Sequence, residues 1–395
     1  MQRDADTAIF WLTTASAAAS LISIAVMEIL LGAAAALWII KRPAPVRWPS
    51  YFLPLAVFMG TTLLSLATSP NPGIGWHPVQ KTVLFSMGLL AVAFVTTESR
   101  AKQAYKLLLA AATVSAITAI IQFGLAQAKF LSTGELADDP TLLNRITGPL
   151  GHWMTFSGVQ LLVWCAAIPA IAVLSRKWIP AIPTMGTAII LGNTRGAWLG
   201  AAAGFVSVAW TLPRRVLALV LIPLVVVGIA ASPFIYRRIV MSLDASLATN
   251  YSRAAYFVTG ARMIGDHPVF GVGPERIHDE FPRYYKGTEL DTFYYGHLHN
   301  NMLQIAAERG LVSLAAFLWL LVELYRSLLQ LLKKHETTTR WATLGALAAL
   351  TGFVVNGMTE YNFGDSEVLV LLLFLVSIPF GLATHVQEDP GLQPR

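Results

Sequence analysis

The sequence predicts an all-α integral membrane protein: about twelve spanning helices, with one large polar loop between the ninth and tenth. Three observations carry this. Of 395 residues, 55% are apolar and only 13% are charged, against about 25% charged in a water-soluble domain; the mean hydropathy is +0.59. Apolar runs of spanning length recur along nearly the whole chain, and a hydrocarbon core about 30 Å thick demands about 20 residues per helix. The runs are long and unbroken, whereas barrel strands would be short and alternating, because backbone groups in lipid must find partners within the segment.

The expected spans are residues 8–21, 23–40, 49–68, 78–97, 103–126, 151–174, 178–193, 195–212, 215–232, 303–325, 341–358 and 367–386. The run from Ala8 to Ile40 is too long for one upright span, yet no Pro or Gly divides it near its middle, Gly32 lying well inside the second half. Glu28 lies inside it and is expected to face other helices, since a carboxylate in lipid is costly. Pro180 and Pro183 predict a kinked or broken seventh span. The N-terminus lacks a basic segment and a small-residue cleavage site, so it reads as a retained span. The organisation expected is membrane helices over 1–232, an outer loop with short helices over 233–302, and the last three spans and tail over 303–395.

Basic residues orient these spans. One set of connections carries Lys41, Arg42 and Arg47; Arg100, Lys102 and Lys106; Arg176 and Lys177; Arg214 and Arg215; and Arg326, Lys333, Lys334 and Arg340. The alternate set carries only Lys81, Lys129, Arg145 and Arg195. The first set is expected in the cytoplasm, which places the polar loop and the acidic 359–367 turn outside the inner membrane. The formal charge of +6 mostly reflects this bias and gives no reason to expect nucleic acid. The single cysteine, Cys165, sits within a span and excludes a disulfide inside the chain.

The polar insert, from Pro233 to Asn300, holds seven basic and seven acidic residues, so it is no bulk cationic patch. Tyr251–Ile264 has helical apolar spacing with Asn250 or Ser252 available as a cap. Gly265-Asp266-His267-Pro268 stops it, Val269–Pro274 is a glycine- and proline-rich turn, and Arg276–Tyr285 is a second short helix. A strip apolar on one face and close to lipid is expected along the membrane surface.

His299 closes the insert just before the tenth span. Imidazole is matched to proton transfer near neutral pH, and it also suits a plain helix cap. His297 lies two residues away, but no Cys, Asp or Glu falls at ligand spacing near the pair; Asp291 and His278 are the only neighbouring extras, and no metal is expected. Arg195 opens a span in Asn193-Thr194-Arg195-Gly196-Ala197-Trp198, where a guanidinium either needs a partner or snorkels; Gly196 admits a close neighbour. Arg253, near a helix N-terminus, opposes the helix dipole, so anion binding explains it better than helix stability. Arg145 and Lys81 each read alone as interface anchors. Together, Lys81, Arg145, Arg195 and Arg253 are four cations where the positive-inside rule disfavours them, and they imply a bound polyanion. No GxxxxGK[ST] loop occurs and no D-x-D pair suggests a metal-bound nucleotide sugar, so an already activated substrate, a lipid diphosphate, is expected rather than a nucleotide.

These elements resemble a known family. Asn144–His152 (NRITGPLGH), Thr194–Trp198 (TRGAW), Ser252-Arg253, His267–Pro274 (HPVFGVGP), and His299-Asn300 followed by Ala307–Leu311 (AERGL) are similar in order and spacing to the O-antigen ligase family, within the superfamily of polyprenyl-linked glycan ligases and polymerases. The resemblance implies a GT-C-like twelve-span plan and no cofactor. It implies transfer of a glycan from undecaprenyl diphosphate to a hydroxyl of lipid A-core oligosaccharide at the periplasmic leaflet. The family's essential histidine maps to His299, with His297 and Asn300 beside it, and its arginines to Arg195 and Arg253. A polymerase or a protein O-glycan ligase of the same superfamily stays open, as does a transporter.

Overall fold

The computed structural model describes residues 2–41, 48–76, 79, 81–133, 145–230, 232, 236, 240, 248–287, 296–334 and 339–388. Among them the chain forms α-helices and short 3-10 turns and no strand. The helices are α1 (Gln2–Ala19), α2 (Ile24–Lys41), α3 (Phe52–Thr68), α4 (Ser86–Phe94), α5 (Glu98–Thr133), α6 (Trp153–Ala170), α7 (Ala181–Leu191), α8 (Arg195–Ala209), α9 (Arg214–Ala230), α10 (Ala248–Asp266), α11 (Ile277–Tyr284), α12 (Asn301–Lys334), α13 (Arg340–Gly357) and α14 (Ser366–Glu388). Five stretches are long and apolar enough to cross a membrane: Ile24–Lys41, Glu98–Thr133, Trp153–Ala170, Asn301–Lys334 and Ser366–Ala383. Among the described residues the protein is all-helical, with the spans of a multi-pass membrane protein.

α6 and α14 form the centre. Their apolar residues are buried on every side, from Phe156 to Ala170 and from Val368 to Leu382, as expected of helices that are hydrophobic all round. α13 packs on both α6 and α8. The α8–α13 contact is written in the sequence as Gly196, Gly200 and Gly204, one glycine per helical turn. A Cβ at Gly200 would stand 2.6 Å from the Gly352 carbonyl oxygen, and one at Gly204 2.6 Å from that of Ala348. Lipid gives no hydrophobic drive between helices, so close backbone approach supplies the packing.

Residues 8–40 form two helices, divided near the boundary expected between 21 and 23; several other expectations change. Serines replace the missing Pro and Gly: Ser20 Oγ donates to the Ala17 carbonyl at 2.7 Å, Ser16 Oγ crosses to the Met27 carbonyl at 2.7 Å, and Ser23 Oγ accepts the Val26 amide at 3.5 Å. Hydroxyls compete for helix-terminal backbone groups and so can end and cap helices. Glu28 does not face the bundle; it is exposed, in the second turn of α2, and Glu367 feels its charge. α7 is neither kinked nor broken: Pro180 precedes it and Pro183 falls in its first turn, where a missing N–H costs nothing. Within the segment expected at 78–97, Lys81–Phe85 forms a 3-10 turn. α12 is interrupted at Gly310, with φ 79° and ψ 172°. α10 as described runs Ala248–Asp266, so the backbone at 250 and 252 is already helical.

The interruption in α12 is where the insert docks. Val272 N donates to Ala307 O and Gly273 N to Glu308 O, both at 2.9 Å, and Leu311 N donates to Pro268 O at 2.8 Å. Ser65 Oγ of α3 reaches the Phe270 carbonyl at 2.6 Å. Carbonyls and amides freed by the helix break thus find partners in the glycine-rich turn, as buried backbone groups must. A small second core of Tyr256, Met263, Val272, Ile277, Phe281, Leu298 and Ala307 seals α10 and α11 onto this point.

Candidate active site

Asn300 caps the start of α12: its Oδ1 accepts the Leu303 amide at 2.9 Å. Its Nδ2 donates to the Met358 carbonyl at 2.7 Å, so one side chain fastens the helix to the α13–α14 turn. Asn301 adds two bonds to the same turn, donating to Asn362 Oδ1 at 2.7 Å and accepting the Phe363 amide at 3.1 Å. His299 therefore does not act as the cap. It precedes the cap with φ 48°, a left-handed conformation that non-glycine residues adopt at a cost.

Glu360, on the docked turn, meets His299. Its two carboxylate oxygens lie 3.2 and 3.1 Å from His299 Nδ1. His297 Nε2 is 4.0 Å from the same carboxylate, and the two imidazole centroids are 4.1 Å apart. The Tyr361 amide donates to Glu360 Oε1 at 3.1 Å, and the Tyr256 ring lies 5.0 Å from the His299 ring. Burial pushes the Glu360 carboxyl up, but the hydrogen bond and charge of His299 outweigh it and hold the group below its ordinary range. Burial and the His299 charge push His297 down to about 4. The absence of a carboxylate near the histidine pair was a matter of sequence distance only: Glu360 arrives through the fold, and the ligand atoms of His297, His299 and Glu360 all lie within 4.8 Å of one another. His278 is exposed on α11 and outside this group; Asp291 and Asn144 lie outside the described residues.

The arginines come together. Burial, then the charges of Arg195 and Arg253, lower the pKa of Arg145, so three guanidinium groups from three separate segments share one field. Arg145 is held with its guanidinium carbon 4.8 Å from the centre of the Trp153 ring, a cation–π contact. Arg195 begins α8 beside the docked turn, because a Cβ on Gly196 would overlap Thr359; the close neighbour that this glycine admits is protein. Lys81 stands differently. It donates to the Gly364 carbonyl at 3.0 Å and lines a separate pocket with Glu308, Arg309, Tyr361 and Phe58.

His152 was quoted in the sequence only as part of a motif, yet its field joins Glu360, His299 and Arg145. It stacks on Trp153 at 4.8 Å, and its Nδ1 lies 3.4 Å from Thr155 Oγ1, which donates to Asp365 Oδ2 at 3.0 Å. Burial and neighbouring carboxylates push Asp365 up to about 7. Glu360, His152 and Asp365 carried no local signal beyond the acidity of the 359–367 turn.

An imidazole oriented by a carboxylate can accept a proton, and three clustered guanidinium groups can hold an anion. Residues 180–318 match the family model described as O-Antigen ligase. The match contains Arg195, Arg253, His297, His299 and Asn300, and leaves out Arg145, Lys81 and Glu360. No curated protein matches the chain.

Proposed function

We propose that this chain is an O-antigen ligase that moves a glycan from undecaprenyl diphosphate to a hydroxyl of lipid A-core oligosaccharide. The reaction belongs to the periplasmic leaflet of the inner membrane, in a protein of about twelve spans whose 233–302 loop lies outside. The observation that carries the reading is the approach of both Glu360 oxygens to His299 Nδ1. With Nδ1–H donated to the carboxylate, the lone pair sits on Nε2, ready to take a proton.

The acceptor hydroxyl attacks the anomeric carbon and passes its proton to His299 Nε2. The bond from that carbon to the diphosphate oxygen breaks, with inversion, and undecaprenyl diphosphate leaves. Glu360 stabilises the imidazolium. Such general-base assistance is worth about 10²–10⁴ in rate. Arg195, Arg253 and Arg145 bind the diphosphate and stabilise the charge gathering on the leaving oxygen, a fixed electrostatic effect worth a few kcal/mol. Their mutual repulsion in the free protein favours an anionic ligand. Lys81 fits less directly, since its partner is the Gly364 carbonyl. No nucleotide or divalent metal is needed. A polymerase or protein O-glycan ligase differs in acceptor only.

The test is transfer from lipid-linked glycan to lipid A-core by the purified full chain. His299→Ala should abolish product while lipid donor still binds. Arg253→Lys should remain badly impaired, because an ammonium cannot reproduce the guanidinium fork. Near-normal turnover in His299→Ala would remove the base from this scheme. No new bond under any condition would favour a transporter.

A further inference from the structure

The His297–His299–Glu360 group has a second chemistry that the transfer reaction does not use. Two imidazoles and one carboxylate form the ligand set of an open zinc site. Tetrahedral coordination with bonds of about 2.0–2.1 Å puts neighbouring ligand atoms roughly 3.3 Å apart. His299 Nδ1 lies 3.1 Å from Glu360 Oε2 and His297 Nε2 lies 4.0 Å from Glu360 Oε1, and all three ligand atoms fall within 4.8 Å of one another. Shifts of well under an ångström per atom close the set. Two of the three side chains are mostly enclosed: Glu360 is 7% exposed and His299 15%. The Tyr361 amide already fixes the carboxylate, as outer partners orient metal ligands.

We infer that His297, His299 and Glu360 form a site for one borderline divalent cation of the Zn²⁺ class, and that filling it stops glycan transfer. Coordination takes His299 Nδ1, so the ring's one proton moves to Nε2. Nε2 can then no longer accept the proton of the acceptor hydroxyl, and the carboxylate, bound to the ion, no longer neutralises an imidazolium. Imidazole ligands select Zn²⁺, Ni²⁺ and Cu²⁺ over Mg²⁺ and Ca²⁺, which want oxygen. The clustered arginines repel a dication, so affinity is expected in the micromolar range rather than that of a structural zinc site. The inhibitory half rests on the base assignment under the proposed function; the binding half does not.

The experiment uses the full chain, purified in detergent and stripped with a chelator, then titrated calorimetrically with Zn²⁺ and with Mg²⁺. One Zn²⁺ per chain and no Mg²⁺ is expected. His297→Asn and Glu360→Gln, each confirmed monodisperse, should weaken Zn²⁺ at least tenfold. In the transfer assay Zn²⁺ should stop turnover and chelator should restore it. Binding that is unchanged in both variants, or full turnover with the site loaded, overturns the inference. If the chain transfers no glycan at all, the function reading fails while the calorimetry still decides the site.

Discussion

Gly310 and Val269 meet backbone to backbone: a Cβ on residue 310 would overlap the Val269 carbonyl, and φ at Gly310 is 79°. The break in α12 and the docking of the insert are therefore one feature, and the insert is what holds the His299 segment against α10. Gly310→Ala adds both a steric conflict and a left-handed strain of about 1–2 kcal/mol. It should destabilise the protein by more than about 2 kcal/mol and depress transfer activity together with the melting temperature. Gly124→Ala is the control: nothing lies within 4 Å of that Cβ, it sits inside α5, and it should leave both unchanged or raise stability slightly. Equal melting curves for the two variants would refute the clamp.

Arg145 depends on Trp153 for its place. A cation–π contact is worth about 0.5–2 kcal/mol, so Trp153→Leu should raise KM for the lipid donor roughly 3–30-fold. Trp153→Phe, which keeps a ring face, should recover most of that loss. A change in kcat with KM untouched would show that Trp153 serves packing around His152 instead.

Two groups tie stability to pH in opposite senses. Asp365, raised from 3.8 to about 7 by burial and then by Glu360 and Glu367, keeps its proton in the folded state. Its contribution is complete below about pH 4 and is lost as pH rises through 7, to a ceiling of about 4 kcal/mol. His297, lowered from 6.5 to about 4, is neutral when folded. Its contribution is complete above 6.5 and is lost as pH falls through 4, to a ceiling of about 3 kcal/mol; His152 has the same sign. The two trends oppose each other between 4 and 6.5. Asp365→Asn removes the first, so its melting temperature should fall more steeply from pH 7.5 to pH 4.5 than that of the native protein. A parallel pH profile for both would refute this account.

The fold class was legible because lipid imposes a composition and a length that no local detail disguises. The grouping of Arg145, Arg195 and Arg253 had a sequence signal, because the positive-inside rule disfavours cations on the face expected to lie outside, so each was an anomaly before its neighbours were known. Glu360 was not. An acidic residue in a turn is ordinary, and only the 300–301 asparagines, bonded across to Met358, Asn362 and Phe363, bring it to His299. Nor was the break at Gly310: glycine inside a helical pattern is tolerated, and what bends the chain is the carbonyl of Val269, forty residues upstream. The helix ends at Ser20–Ser23 were placed to within two or three residues by span length alone, although hydroxyl competition is weaker punctuation than proline.

Glu360→Gln separates orientation from architecture. Gln has nearly the same shape, and its carbonyl can still accept the Tyr361 amide that Glu360 accepts at 3.1 Å, so the turn should fold and the arginines should stay where they are. What changes is the proton logic. A neutral amide offers His299 either a donor or an acceptor, the tautomer with Nε2 free is no longer enforced, and no negative charge remains to stabilise the imidazolium. Turnover should drop by about 10²–10⁴ while KM for the lipid donor changes less than about threefold, because the diphosphate ligands we propose are guanidinium groups that the substitution does not touch. Glu360→Asp, which keeps the charge on a shorter arm, should fall between the two. If Glu360→Gln turns over at the native rate, the carboxylate serves only to anchor the turn, and His299 must be oriented by its own left-handed backbone and the Tyr256 ring.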